Sequence, residues 1–259
     1  MATTVPGLAT GLCSVTLRAH SVPEVAAVAA AAGLSCVEWG ADVHVPPGDL
    51  AAAALARETG ASLGLRAASY GSYFRAGPHG SAEFAPVLAS AVALGVLRIR
   101  VWAGVTGSAE ASPDEIRATA SATRAAAERA ADAGIGLAFE YHGNTLTDTA
   151  ESALRLLAEV DHPGVRTYWQ PRVGMPDQDA VRDLEQVLSW VDTVHAFSWW
   201  PGEQRLPLAA RDGLWRGVLS VLHASGRPHD VLLEFVPGDD PGQVREDAAA
   251  LLRLAGDRG

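Results

Sequence analysis

Lysine is absent from this chain of 259 residues: all 20 of its basic side chains are arginine. Without an ε-amine, a lysine Schiff-base aldolase, a conventional pyridoxal-phosphate enzyme and a P-loop nucleotide hydrolase are all excluded. Cysteine is scarce as well. Cys13 and Cys36 sit in apolar, strand-like segments and read as buried, reduced small hydrophobes of a cytoplasmic protein. No uninterrupted run of about 18 apolar residues marks a membrane span, and MATTVPGLATG lacks the basic start and long apolar core of a signal peptide. A formal charge of −10 with no basic stripe argues against a nucleic-acid partner, because phosphate binding needs concentrated positive charge.

What is present is apolar and alternating. At 48% hydrophobic residues the chain can bury one large core, and a single domain over 1–259 is expected. Short strand patterns fall at 12–16, 36–39, 63–69, 97–103, 136–142, 165–170, 193–198 and 231–235. Alanine-rich helical patterns lie between and after them, near 22–33, 47–59, 82–94, 113–133, 146–159, 177–189, 210–225 and 241–255. Eight such repeats predict an α/β fold, a (β/α)8 TIM barrel.

Helix boundaries agree with this alternation. Ser112, Pro113 and Glu115 supply a cap, an N1 proline and an N3 carboxylate ahead of a long helical run, and Asp240 with Pro241 suits the start of the last helix. Glycines in AAGLS, ALGVL and ADAGIGLA fit C-caps. No glycine-rich phosphate loop follows the first strand, which disfavours a doubly wound dinucleotide fold.

Barrel enzymes carry their chemistry at the C-terminal ends of several strands. Glu38, Trp102, Glu140, His142, Gln170, His195 and Glu234 all fall at such ends. Buried carboxylates there need partners: a metal, a proton-transfer task, or both. Arg100 alternates with apolar Ile99 and Val101, so it points into the upper barrel, where it must pair with a carboxylate such as Glu38. Arg172 and Arg205 are candidate anion forks. Trp39, Trp102, Trp169, Trp199 and Trp200, with Tyr70, Tyr73 and Phe74 in a long third loop, offer rings to cover the apolar faces of a sugar or cyclitol. Of the adjacent Trp199 and Trp200, only one is expected to face the site.

The segments FEYHGNTLTDT (139–149), YWQP (168–171), HAFSWW (195–200) and LLEFVPGDDP (232–241) resemble the xylose-isomerase-like TIM-barrel superfamily, often called sugar phosphate isomerases/epimerases. The resemblance covers nearly the whole chain. It implies one divalent ion held by Glu after strand five, Asp after strand six, His after strand seven and Glu after strand eight. Glu140, His195 and Glu234 match, whereas the strand-six position falls near Gln170, which offers a carbonyl oxygen without charge. Mn2+ is the expected ion, with Co2+, Mg2+ and Zn2+ as alternatives.

By the same resemblance, Glu140 and Glu234 are the catalytic pair that takes and returns an α-proton through an enediolate. Glu38, Arg100, Trp102, His142, Arg172, Trp199 and Arg205 would line the substrate site. The implied activity is isomerisation or epimerisation of a sugar, sugar acid or cyclitol ketone. The alternatives are a dehydratase acting on an inosose-like or dehydroshikimate-like substrate, and a non-catalytic binding barrel. A small molecule is the expected partner, and the apolar outer helix faces allow a homo-oligomer.

Overall fold

The computed structural model describes residues 7–78 and 83–256. The segment read for a leader and the start of the third helical pattern at 82 therefore lie, in whole or in part, outside the described residues. Eight parallel strands close into a barrel in sequence order: β1 (Leu8–Cys13), β2 (Cys36–Gly40), β3 (Arg66–Ala76), β4 (Arg98–Ala103), β5 (Gly136–Phe139), β6 (Val165–Trp169), β7 (Val191–Ala196) and β8 (His229–Leu233). Around them run α1 (Val22–Ala31), α2 (Leu50–Ser62), α3 (Phe84–Leu94), α4 (Pro113–Ala131), α5 (Ala150–Val160), α6 (Asp177–Val187), α7 (Asp212–Ala224) and α8 (Pro241–Gly256). No helix among the described residues is long and apolar enough to cross a membrane.

Local chemistry explains several boundaries. Ser112 accepts from the Glu115 amide while Glu115 accepts from the Ser112 amide, so two amides left free by the first turn of α4 are satisfied. Gly95 ends α3 in the left-handed conformation, φ 73°, that its missing Cβ permits. Asp240 accepts from the Gln243 amide at the start of α8.

The first, third and fifth strands depart most from the sequence reading. The first strand starts at Leu8 and ends at Cys13, and Ser14–Leu17 is a 3-10 turn. Thr10 and Gly11 read as loop residues, but Gly11 is there for closeness: a Cβ on it would lie 2.5 Å from the Cys36 carbonyl oxygen and 2.6 Å from Leu232 Cδ2. The third strand extends to Ala76, so Tyr70, Tyr73 and Phe74 are strand residues rather than loop residues. Its pairing with β4 shifts register between Gly71 and Arg75, which carries the strand past the barrel rim. The fifth strand stops at Phe139, and Glu140 to Thr147 folds back on itself, the Thr147 hydroxyl donating to the Glu140 carbonyl.

The opposite, N-terminal end of the barrel is tied by charge. Asp192 pairs with Arg98 at 3.2 Å, Arg227 at 3.1 Å and Arg166 at 3.4 Å, and Asp230 pairs with Arg66 at 2.5 Å and Arg98 at 3.6 Å. Chemistry-bearing carboxylates are thus confined to the other end.

Gly11→Ala is expected to destabilise the barrel by about 1–3 kcal/mol, because its neighbours are backbone and packed core. Urea unfolding of the variant against wild type measures this, and an unchanged midpoint would show that β1 can move away from β2.

Candidate active site

A guanidinium sits where the strand ends converge. Arg100, on β4, is 3% exposed, yet three carboxylates surround it. Its Nη1 lies 3.0 Å from Glu38 Oε1 and 3.9 Å from Glu234 Oε1, and its Nε lies 2.7 Å from Glu140 Oε2. The last contact is close but out of line for a hydrogen bond, so it acts as an ion pair.

Glu38, at the end of β2, is the anchor of this cluster. Its second oxygen accepts from Ser69 Oγ at 2.7 Å and Tyr168 Oη at 2.8 Å. Burial opposes its ionisation, but Arg100, His195 and Ser69 outweigh that and hold the carboxyl well below its usual range. Gly71 makes room for the pair, since a Cβ there would lie 2.8 Å from Glu38 Oε1.

His195, fully buried on β7, gathers the remaining donors. Its Nδ1 lies 3.0 Å from Gln170 Oε1, 3.5 Å from Glu140 Oε1 and 3.6 Å from Glu234 Oε2. Glu140 and Glu234 therefore each turn one oxygen towards Arg100 and the other towards His195. Burial alone would lower the His195 imidazole, but Cys13, Glu234 and Glu140 beside it raise it well above its ordinary value. Glu140 is lowered: burial opposes ionisation, and Arg100 and His195 overcome it. Glu234 is raised, because burial outweighs the attraction of His195.

Glu140, Gln170 and Glu234 each bring an oxygen within 3.6 Å of His195 Nδ1, and oxygen and nitrogen donors of this kind suit a divalent ion. Atoms bound to one ion at about 2.0–2.2 Å stand roughly 3.0–3.5 Å apart, close to the spacings around His195 Nδ1. Charge agrees in sign, since three carboxylates surround one guanidinium. A further close-set donor group among the described residues is Cys13, His195 and Glu234, all buried and within 4.8 Å of one another.

Above this cluster lies a cavity of about 430 Å³. Arg100, Trp102, Glu140, His142, Gln170, Arg172, Trp199 and Glu234 line it, which brings together eight of the site residues read from sequence. Glu38 is not on its wall, because it lies buried under Arg100. Arg205 is not on the wall either: it pairs with Asp239 at 2.7 Å and stacks behind Trp199 and Phe235, at 5.5 and 5.0 Å. Trp39 and Trp169 are fully buried in the core, and Phe74 packs on Phe84. Trp199 faces the cavity, whereas Trp200 stacks with Arg211. His142 does not touch Glu140; its ring packs 4.9 Å from Trp102 and its Nδ1 lies 2.7 Å from the Gly143 carbonyl.

Residues that the sequence reading passed over also reach this site. Arg18 lines the cavity between Asp42 and Tyr73 and stacks over Phe235 at 5.4 Å. Cys13 stands at the end of β1, beside Glu38 in the strand register. Cys13 was obscured by placing the end of the first strand at 16, whereas an end at Cys13 puts the thiol at the mouth.

Glu38→Ala is expected to cost about 3–5 kcal/mol of folding stability, because it removes a carboxylate 3.0 Å from a buried guanidinium. Denaturant unfolding reads this directly, and a loss below about 1 kcal/mol would mean that Glu140 and Glu234 hold Arg100 without it.

Comparison with known proteins agrees with this architecture. A segment of 99 residues, 38% of this chain and 35% of the relative, is 34% identical to the 3-dehydroshikimate dehydratase of Bacillus anthracis. The structure of a 3-DHS dehydratase from that organism superposes with TM-score 0.73 at 19% identity, over 97% of this chain and 100% of that one. A D-allulose 3-epimerase from Methylomonas sp. gives TM-score 0.70 at 15% identity over 98% and 100%. A barrel from Mycobacterium smegmatis in complex with magnesium gives 0.68 at 16% over 95% and 96%. At these identities the superpositions speak for the fold. The family described as "Xylose isomerase-like TIM barrel" matches residues 26–254, and the chain belongs to it.

Proposed function

We propose that the protein enolises a small polyhydroxy carbonyl compound, a sugar, sugar acid or cyclitol ketone, and returns the proton to give an isomer or epimer. The observation that carries this reading is the pair Glu140 and Glu234. Both open onto one cavity, and both are fixed from below by Arg100 and His195. A carbon acid needs a base on rigid support and positive charge where the enediolate forms. Both requirements are met here.

Glu140, held ionised by Arg100, takes the proton from the carbon beside the carbonyl. Glu234, whose proton affinity is raised, delivers a proton to the enediolate. Arg100 lies at the cavity floor and offsets the negative charge that develops there. Trp102 and Trp199 cover the sugar faces and keep water from the intermediate. A divalent ion held by Glu140, Gln170, His195 and Glu234 would supply Lewis-acid polarisation of the hydroxyl and carbonyl oxygens.

A dehydratase is the second reading, favoured by the curated relative that shares a 99-residue segment. The same base would remove the α-proton, and the same acid would protonate a departing β-hydroxyl. Arg172 supports an acidic substrate for either reaction. It lines the cavity rim, is exposed, and pairs with no carboxylate among the described residues.

In deuterated water, candidate polyhydroxy ketones and acids are expected to take up solvent deuterium with wild type, and Glu140→Gln is expected to slow this by about 10²–10⁴-fold. In ordinary water the product has the substrate's mass for an isomerase and is lighter by one water for a dehydratase. Uptake at an undiminished rate in Glu140→Gln, or none with any such compound, would sink the proposal.

Arg172→Met is expected to raise KM for an acidic substrate roughly ten- to a hundredfold, with melting temperature and the KM for a neutral analogue unchanged. Equal effects on both substrates would remove Arg172 from anion recognition.

A further inference from the structure

Cys13 does more than fill space. Its side chain is fully buried at the C-terminal end of β1, where the strand register sets it beside Glu38 and one residue beyond the Leu12–Leu233 pair that precedes Glu234. The Cys13 sulfur, a His195 nitrogen and a Glu234 oxygen all lie within 4.8 Å of one another. His195 Nε2 is fully buried and makes no hydrogen bond, its contact with Glu38 Oε1 being a longer 3.6 Å ion pair, although a buried imidazole nitrogen ordinarily finds a hydrogen-bond partner. The second cysteine is different: Cys36 contacts the Thr10 carbonyl at 3.6 Å and belongs to no such group.

We propose that Cys13 is a metal ligand, and that with His195 and Glu234 it makes a sulfur–nitrogen–oxygen site selecting a thiophilic divalent ion, Zn2+ or Co2+, over Mg2+ or Mn2+. This rests on the reading of the cluster as a metal centre. Sulfur, nitrogen and oxygen donors together suit zinc, and thiolate donors favour zinc-class ions while carboxylate and carbonyl donors favour magnesium and manganese. Cys13 adds a negative charge to this group on loading, because a bound ion displaces the thiol proton to solvent and leaves a metal–sulfur bond. The ion expected from sequence alone, Mn2+, gives way to a softer one.

Cobalt(II) titration of the metal-free protein tests this by a signal independent of turnover. Wild type is expected to develop a near-ultraviolet sulfur-to-cobalt charge-transfer band and to release a proton on loading. Cys36→Ser keeps the band and Cys13→Ser loses it. Competition between Zn2+ and Mg2+ is expected to show the preference for zinc falling in Cys13→Ser by at least the roughly tenfold that loss of even an outer partner brings. Cobalt bound to wild type with visible bands but no sulfur charge transfer overturns the proposal, whatever the folding of the variants. That outcome is separate from failure of the enolisation reading, which shows as missing deuterium uptake. Wild type that binds neither Co2+ nor Zn2+ overturns the metal ligation outright.

Discussion

A guanidinium taken out of water among three carboxylates is the constraint on which the rest of this molecule turns. Transferring one such cation to a low-dielectric interior costs several kcal/mol, repaid only when geometry and further hydrogen bonds are good. Arg100 meets that condition through Glu38, which in turn leans on Ser69 and Tyr168. The residues around it follow from this demand. Gly71 lacks a side chain so that the pair can close, and Glu140 and Glu234 each commit one oxygen to the cation. Their other oxygens face His195, where the chemistry would lie.

The wall above the cluster repeats the theme with weaker forces. Trp102 is packed between Arg75, Tyr73 and His142, and Phe235 lies between Arg18 and Arg205. Arginine suits both faces of such stacks because its guanidinium is planar and weakly hydrated. Phe235 holds a left-handed backbone at φ 50°, a conformation that costs about 1–3 kcal/mol outside glycine and persists only where surroundings enforce it. Its amide is fixed by the Thr16 hydroxyl, 3.1 Å away. The lack of lysine, first met as a gap in composition, thus coincides with a site whose positive charges are flat and stackable.

Much of this was legible in the sequence because barrel strands impose a strict two-residue alternation. Ile99, Arg100 and Val101 gave the inward direction of Arg100, and FEYH, YWQ, HAF and LLEF placed Glu140, Gln170, His195 and Glu234 at strand ends by chain order alone. Long-range geometry was legible only in part. The inward direction of Arg100 also gave Glu38 as a partner, which the structure bears out, but nothing local says that Arg205 turns to Asp239. The first strand was placed late, since Gly11 shows no apolar side chain and its reason is a backbone on the neighbouring strand, and that displacement hid Cys13.

The far end of the barrel completes the picture. Asp192 and Asp230 hold four arginines where the strands begin, away from the cavity. Desolvation penalties for such ionic groups shrink on warming, so a network of this kind weakens less with heat than apolar packing does. Regions of a protein open separately, the least supported first. The Arg100 cluster at the mouth is built of the same kind of pair, so both ends of the barrel resist warming and the apolar helix layer around them bears it first.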